Sequence, residues 1–205
     1  KVIEPLTQAP EGFITVPGNH DLYMPDTVKD QRFDRIFGDL MGEGPWPRVR
    51  RFGDDVAVVG VNSARPNPQP WRSSGRVPDE QLDGLARILG QPDMQDRFVF
   101  VMTHYAPRLA SGKPDSPSHG MTNAEEFLAA CRPIRTGAIL CGPVHRRYQV
   151  QVPVVAAPIF CAGSVSQNGR EGLWLFDIEG GSARATPGKW GGERYELEPD
   201  QAYGP

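Results

Sequence analysis

The chain has 205 residues, with 22 Lys and Arg against 25 Asp and Glu, a formal net charge of −3 at pH 7. That near-balance argues against a dedicated nucleic-acid binder, which carries a basic surplus to meet phosphates. Apolar residues at 39% and charged residues at 23% describe a globular rather than a disordered chain. The longest nearly unbroken apolar stretch, Val154 to Ala162, is interrupted by Pro158 and is far too short to span a bilayer. The length suits one domain, residues 1–205, and 23 glycines with 21 prolines predict many ordered loops.

Three cysteines, Cys131, Cys141 and Cys161, form no Cys-x-x-Cys pair and leave an odd count. Each sits beside apolar residues, so all three read as buried core thiols. No charged-then-apolar signal segment is visible, and a cytoplasmic location is the expectation.

The first strand-like run is Phe13–Val16, stopped by Pro17-Gly18. A helix is predicted from about Thr27 to Met41, because Phe33, Ile36, Phe37 and Leu40 fall on one helical face, and Gly42-Glu43-Gly44-Pro45 breaks it. Arg48–Phe52 and Asp55–Asn62 read as two strands around a turn at Gly53-Asp54. The second is almost wholly apolar, as in a strand covered on both faces. After a Pro- and Arg-rich loop from Ala64 to Arg76, Pro78 opens a helix with the stripe Leu82, Leu85, Ala86 and Leu89. Phe98–Met102 is another buried strand. A helix near Asn123–Arg132 opens with Thr122 and Glu125 at capping-box spacing. Ala138–Cys141 is a strand, and several further strands without helices fill Tyr148 to Ala185. Strands alternating with helices, then a mainly β tail, predict an α/β layered sandwich.

Three of the four histidines follow a strand-like run. His20 follows Phe13–Val16, His104 follows Phe98–Met102, and His145 follows Ala138–Cys141. Ligands of open α/β sheets bind beyond the carboxyl ends of the strands, so this placement predicts one convergent site.

Gly18-Asn19-His20-Asp21 resembles the GNHD motif of the calcineurin-like metallophosphoesterases. His104 with Pro107 is similar to that family's single-histidine motif, and Gly142-Pro143-Val144-His145 stands where the family has Gly-His-x-His. The segment from Gly75 to Leu82 also looks like the family's glycine followed by a Gln-Leu helix. The likeness extends over about Gly12 to Phe176 and is greatest to the bacterial cyclic-nucleotide and glycerophosphodiester phosphodiesterase branch. It implies a layered β-sandwich flanked by helices, and hydrolysis of a phosphodiester by a metal-bridging hydroxide held between two divalent ions, Mn, Fe, Co or Zn. It further implies that Asn19 and His104 ligate the second metal and His145 the first. His20 would protonate the leaving group, with Asp21 orienting its ring. The partner implied is a small phosphoester substrate, with no specific nucleic-acid binding and no membrane span.

The pattern departs from the family in two places. Its opening Asp-x-His and Gly-Asp metal motifs do not precede Gly18, and the pairs Gly38-Asp39 and Gly53-Asp54 both come after GNHD. The resemblance therefore implies an N-terminally incomplete domain, with several tens of residues upstream that supply these carboxylates and the first strands. Pro143 replaces a metal-binding histidine, which implies a weakened second metal site. The alternative is an impaired or inactive member that keeps the fold for binding or assembly. His119 reads as a solvated loop residue, with a substrate-facing role as the alternative. Arg65, Arg72, Arg76 and Arg146 read as surface arginines rather than phosphate contacts, and Trp46, Trp71, Trp174 and Trp190 as packing anchors rather than base-stacking platforms.

Overall fold

A computed structural model describes residues 8–40, 44–67, 69, 71–165 and 167–204. Its helices are α1 (Pro25–Lys29), α2 (Arg32–Phe37), α3 (Asp79–Leu89), α4 (Pro92–Gln95) and α5 (Ala124–Ala130). Six strands, β1 (Arg48–Phe52), β2 (Val56–Val61), β3 (Phe98–Thr103), β4 (Thr136–Cys141), β5 (Tyr148–Val150) and β6 (Ile159–Cys161), form one sheet in the order β1-β2-β3-β4-β6-β5. The four central strands are parallel, and β1 and β5 close the edges antiparallel. A second sheet is the antiparallel meander β7 (Leu173–Glu179), β8 (Ser182–Trp190) and β9 (Tyr195–Leu197).

Successive side chains of a strand point to opposite faces, and the sequence uses both faces of the large sheet. Ala57, Val59, Val61, Val99, Val101 and Ile139 pack against Leu82, Leu85 and Leu89 of α3 and Phe127 and Leu128 of α5. The intervening Phe98, Phe100, Ala138 and Phe160 pack against Trp174, Phe176 and Ala185 of the small sheet. Phe100 and Phe160 each meet Phe176 edge-on, with ring centroids 5.0 and 5.1 Å apart. The result is a layered α/β sandwich of helices, large sheet and small sheet. All three cysteines are buried and free, and no helix among the described residues is long and apolar enough to cross a membrane.

Phe13–Val16 forms no strand, because no described strand pairs with it. Instead Arg50 of β1 donates to the carbonyls of Phe13 and Glu11. Ile14, Thr15 and Val16 border a groove of about 460 Å³ between the two sheets, walled by Leu140, Phe160 and Trp174. The single helix expected over 27–41 is two short ones, divided at Gln31, whose φ is 49°. The apolar stripe begins only at Phe33, so α1 buries nothing and the chain turns before the stripe starts. Met41 and the breaker's Gly42-Glu43 lie outside the described residues. The Thr122–Glu125 capping box does not form either. Thr122 Oγ1 donates to the Gly75 carbonyl and Glu125 pairs with Arg108, leaving Asn123 at the N-cap. The β tail also runs further than expected, through β9.

Candidate active site at the strand ends

Parallel strands deliver their carboxyl ends to one rim, and there the loops after β3 and β4 meet the turn at Gly18–Asp21. The turn is closed twice: the Asp21 amide donates to the Gly18 carbonyl at 3.2 Å, and Asp21 Oδ2 accepts the Gly18 amide at 2.8 Å. This holds Asn19 against His104, with Asn19 Oδ1 3.0 Å from His104 Nε2. Asn19 Nδ2 donates to Ser73 Oγ at 3.1 Å, so its oxygen is the atom that faces the imidazole and accepts from Nε2–H. Gly18 permits the approach, because a Cβ there would lie 3.1 Å from the His104 ring. The Gly142 amide donates to the His104 carbonyl, tying the two strand-end loops together.

His104 is half-buried, and its pKa is lowered from 6.5 to about 4. Burial is the main cause. Asp21 opposes it, whereas His145 and His20 act in the same direction as burial. Three of the residues singled out in the sequence are thus near enough to His104 to act on its charge. His145 takes a left-handed backbone, φ 49°, and its Nδ1 lies 2.6 Å from Gln167 Oε1. Nδ1–H donating to that amide oxygen leaves the Nε2 lone pair open, the orientation that ligating histidines commonly have. Pro143 sits half-buried within the same loop. His20 is exposed, and Asp21 spends its hydrogen bond on Gly18 rather than on the His20 ring. The orienting pair expected between them is not formed in this arrangement, in which Asp21 Oδ2 closes its own turn.

The remaining candidates separate. Arg65 donates to the carbonyl and hydroxyl of Ser74, and Arg76 pairs with Asp79, so both serve local structure. Trp46 and Trp174 are packing anchors, and Trp174 Nε1 also donates to the Cys161 carbonyl. Trp71 is not one, being 69% exposed. Ser73 was not signalled by the sequence. It bridges Asn19 and the Tyr105 hydroxyl from within an aperiodic loop. Gln81 was legible only as part of a helix. It is buried and accepts the Asn62 amide, fixing the end of β2. Among the described residues, no group of three or more His, Cys, Asp or Glu side chains is poised to hold a metal ion.

No protein-family model and no curated protein matches the chain. Among solved structures it is similar to that of PhoD, with 9% identity and a TM-score of 0.56 over 79% of this chain. The chain spans 44% of the length of that protein's chain. The likeness is one of fold alone.

Proposed function

We propose that this chain belongs to a metal-dependent phosphoester hydrolase whose substrate is a phosphodiester. The observation that supports this most directly is the Asn19–His104 contact. Two adjacent ligands of an octahedral ion with bonds of ~2.1 Å stand ~3.0 Å apart, and Asn19 Oδ1 and His104 Nε2 are 3.0 Å apart. Both donors are neutral, and moving the His104 proton from Nε2 to Nδ1 would turn both toward one ion. His145, with its open Nε2, would serve the neighbouring ion. Two dications also require carboxylates, and no group of three or more His, Cys, Asp or Glu side chains among the described residues is poised to supply them.

Bound divalent ions would supply Lewis-acid charge and an activated water. The chain's own residues would do the rest. Asn19 and His104 hold one end of the phosphoryl site, Ser73 keeps the Asn19 amide aimed, and exposed His20 donates a proton to the departing oxygen. His20→Ala should then lower phosphodiester turnover by ~10²–10⁴-fold with bound metal unchanged, whereas His104→Ala should lose metal. Metal analysis beside steady-state kinetics on the whole encoded protein decides this, and the reverse pattern would overturn the assignment.

Pro143 favours a second reading, an impaired member retaining the fold, because proline offers no lone pair to a metal. The weakened site is the one near Asn19 and His104. Pro143→His should tighten metal there at least ~10-fold and raise turnover at limiting metal. An inactive wild type made active by this change would identify the chain as impaired.

A further inference from the structure

Beside His20 lies a second hollow, of about 410 Å³, bounded by Asn19, His20, Tyr23, Trp71, Arg72 and His119. Its walls come from three segments that are laced to one another. The Tyr23 carbonyl accepts the Asn67 amide and the Tyr23 hydroxyl donates to the Gln69 carbonyl, joining the His20 turn to the Trp71 loop. The Ser73 amide donates to the Ser118 carbonyl, joining that loop to the His119 loop. The hollow is therefore built by cross-loop bonds.

Its lining has a particular chemistry. Trp71 presents an indole that is 69% exposed. Arg72 has no ion-pair partner among the described residues, unlike Arg76 on the same loop. His119 Nδ1 lies 3.0 Å from Ser118 Oγ and 3.2 Å from Ser116 Oγ. In the tautomer that accepts at Nδ1, the ring proton sits on Nε2, where it is available as a donor. A flat apolar surface, a free guanidinium and a directed N–H together suit a planar ring carrying hydrogen-bond acceptors.

We propose that this hollow receives the leaving group of the phosphoester and that the leaving group bears an aromatic ring stacked on Trp71. The assignment rests on the phosphoester reading above, since it is His20, as proton donor to the departing oxygen, that puts the leaving group on this side. The ring could be a simple aryl group or a nucleobase. Both would stack on Trp71, and a nucleobase would in addition accept from His119 Nε2–H.

Calorimetric titration with manganese(II) in excess tests this, using methylphosphonate, phenylphosphonate and the 5′-methylenephosphonate analogue of adenosine monophosphate as non-hydrolysable probes. Stacking on an aromatic side chain contributes ~1–3 kcal/mol, so phenylphosphonate should bind at least ~5-fold tighter than methylphosphonate. Trp71→Ala should erase that preference and leave methylphosphonate affinity unchanged, and Trp71→Phe should restore most of it. A nucleotide that outbinds phenylphosphonate, and loses that advantage in His119→Ala, identifies the ring as a nucleobase. Equal binding of phenyl- and methylphosphonate would overturn the ring pocket and leave the phosphoester reading intact. A Trp71-dependent preference that is indifferent to Asn19→Ala and His104→Ala would overturn the phosphoester reading and keep the pocket. Binding by none of the probes would overturn both.

Discussion

His104 concentrates the site's physical chemistry in one side chain. It is held half-buried between the Gly18 turn and Tyr105, whose ring it meets edge-on at 5.1 Å, and burial pushes its pKa down to about 4. The unfolded chain takes up this proton near 6.5, so between 6.5 and about 4 it binds more protons than the fold does. Stability of the metal-free protein should therefore be full above pH 6.5 and fall, by up to ~3 kcal/mol, as pH drops to about 4. Denaturant titrations of wild type and His104→Gln across that range would show the slope in the first and its flattening in the second. An unchanged slope would place the titrating group elsewhere. The motif made Asn19 and His104 legible as partners long before their contact was visible. Nothing in the sequence marks Ser73, and the sequence reads Trp71 as a packing anchor although it is 69% exposed, because loop residues obey no periodicity and exposure is decided by what the rest of the chain leaves uncovered.

At the level of elements, the best-read segments are those where period and burial agree. β1 appears with the expected ends, β2 and β3 within a residue of them, and the α3 stripe of Leu82, Leu85 and Leu89 faces the sheet as its spacing predicts. Two misreadings share a cause. Phe13–Val16 has strand composition but no described neighbour to complete its ladder, and Thr27–Met41 has a helical stripe in only its second half. Local pattern is a statement about one face, and a partner must supply the other. Thr122 illustrates the same competition at a helix end, since the Gly75 carbonyl claims the hydroxyl that would have capped α5. Its neighbour Asn123 occupies the N-cap position but makes no side-chain cap bond to α5. The buried side chain donates to the Val77 carbonyl at 2.7 Å and accepts the Val77 amide at 3.1 Å, clamping the start of α5 to the entry of α3. Asn123→Ala leaves both buried backbone groups without partners, and the expected loss is about 2–4 kcal/mol. Thermal unfolding would record it as a lowered midpoint, and a loss under 1 kcal/mol would mean that water replaces the clamp.

Across the whole molecule, the two sheets are joined by polar contacts as well as aromatic packing. Arg147, just before β5, pairs with Glu198, just after β9, at 2.7 Å, and Lys189 of β8 lies 3.4 Å from the same carboxylate. The hydrogen bond from Arg147 holds the Glu198 carboxyl below its usual range. That contribution is present at neutral pH and is lost as pH falls through the lowered value. Glu198→Gln should destabilise the protein by about 1–2 kcal/mol at pH 7 and by much less in strong acid, a difference that parallel melts at the two pH values would display. The sequence foresaw the β tail but not this clasp, which depends on a loop turn and a strand end separated by some fifty residues.

The lacing of the rim has a consequence in time rather than in space. Ser73 and Gly75 donate from their amides to Ser118 and Gly120, and Thr122 donates back to Gly75. No Cβ fits at Gly75, where it would stand 2.2 Å from the Tyr105 ring, so the seam is drawn tight against the floor of the site. Amides that share one seam open together or not at all. In hydrogen–deuterium exchange, Ser73, Gly75 and Thr122 should become labelled as a single kinetic class, slower than the flanking loop. Such labelling would mean that the hollow beside His20 opens as one unit, with the wall bearing Trp71 and the wall bearing His119 parting in the same event.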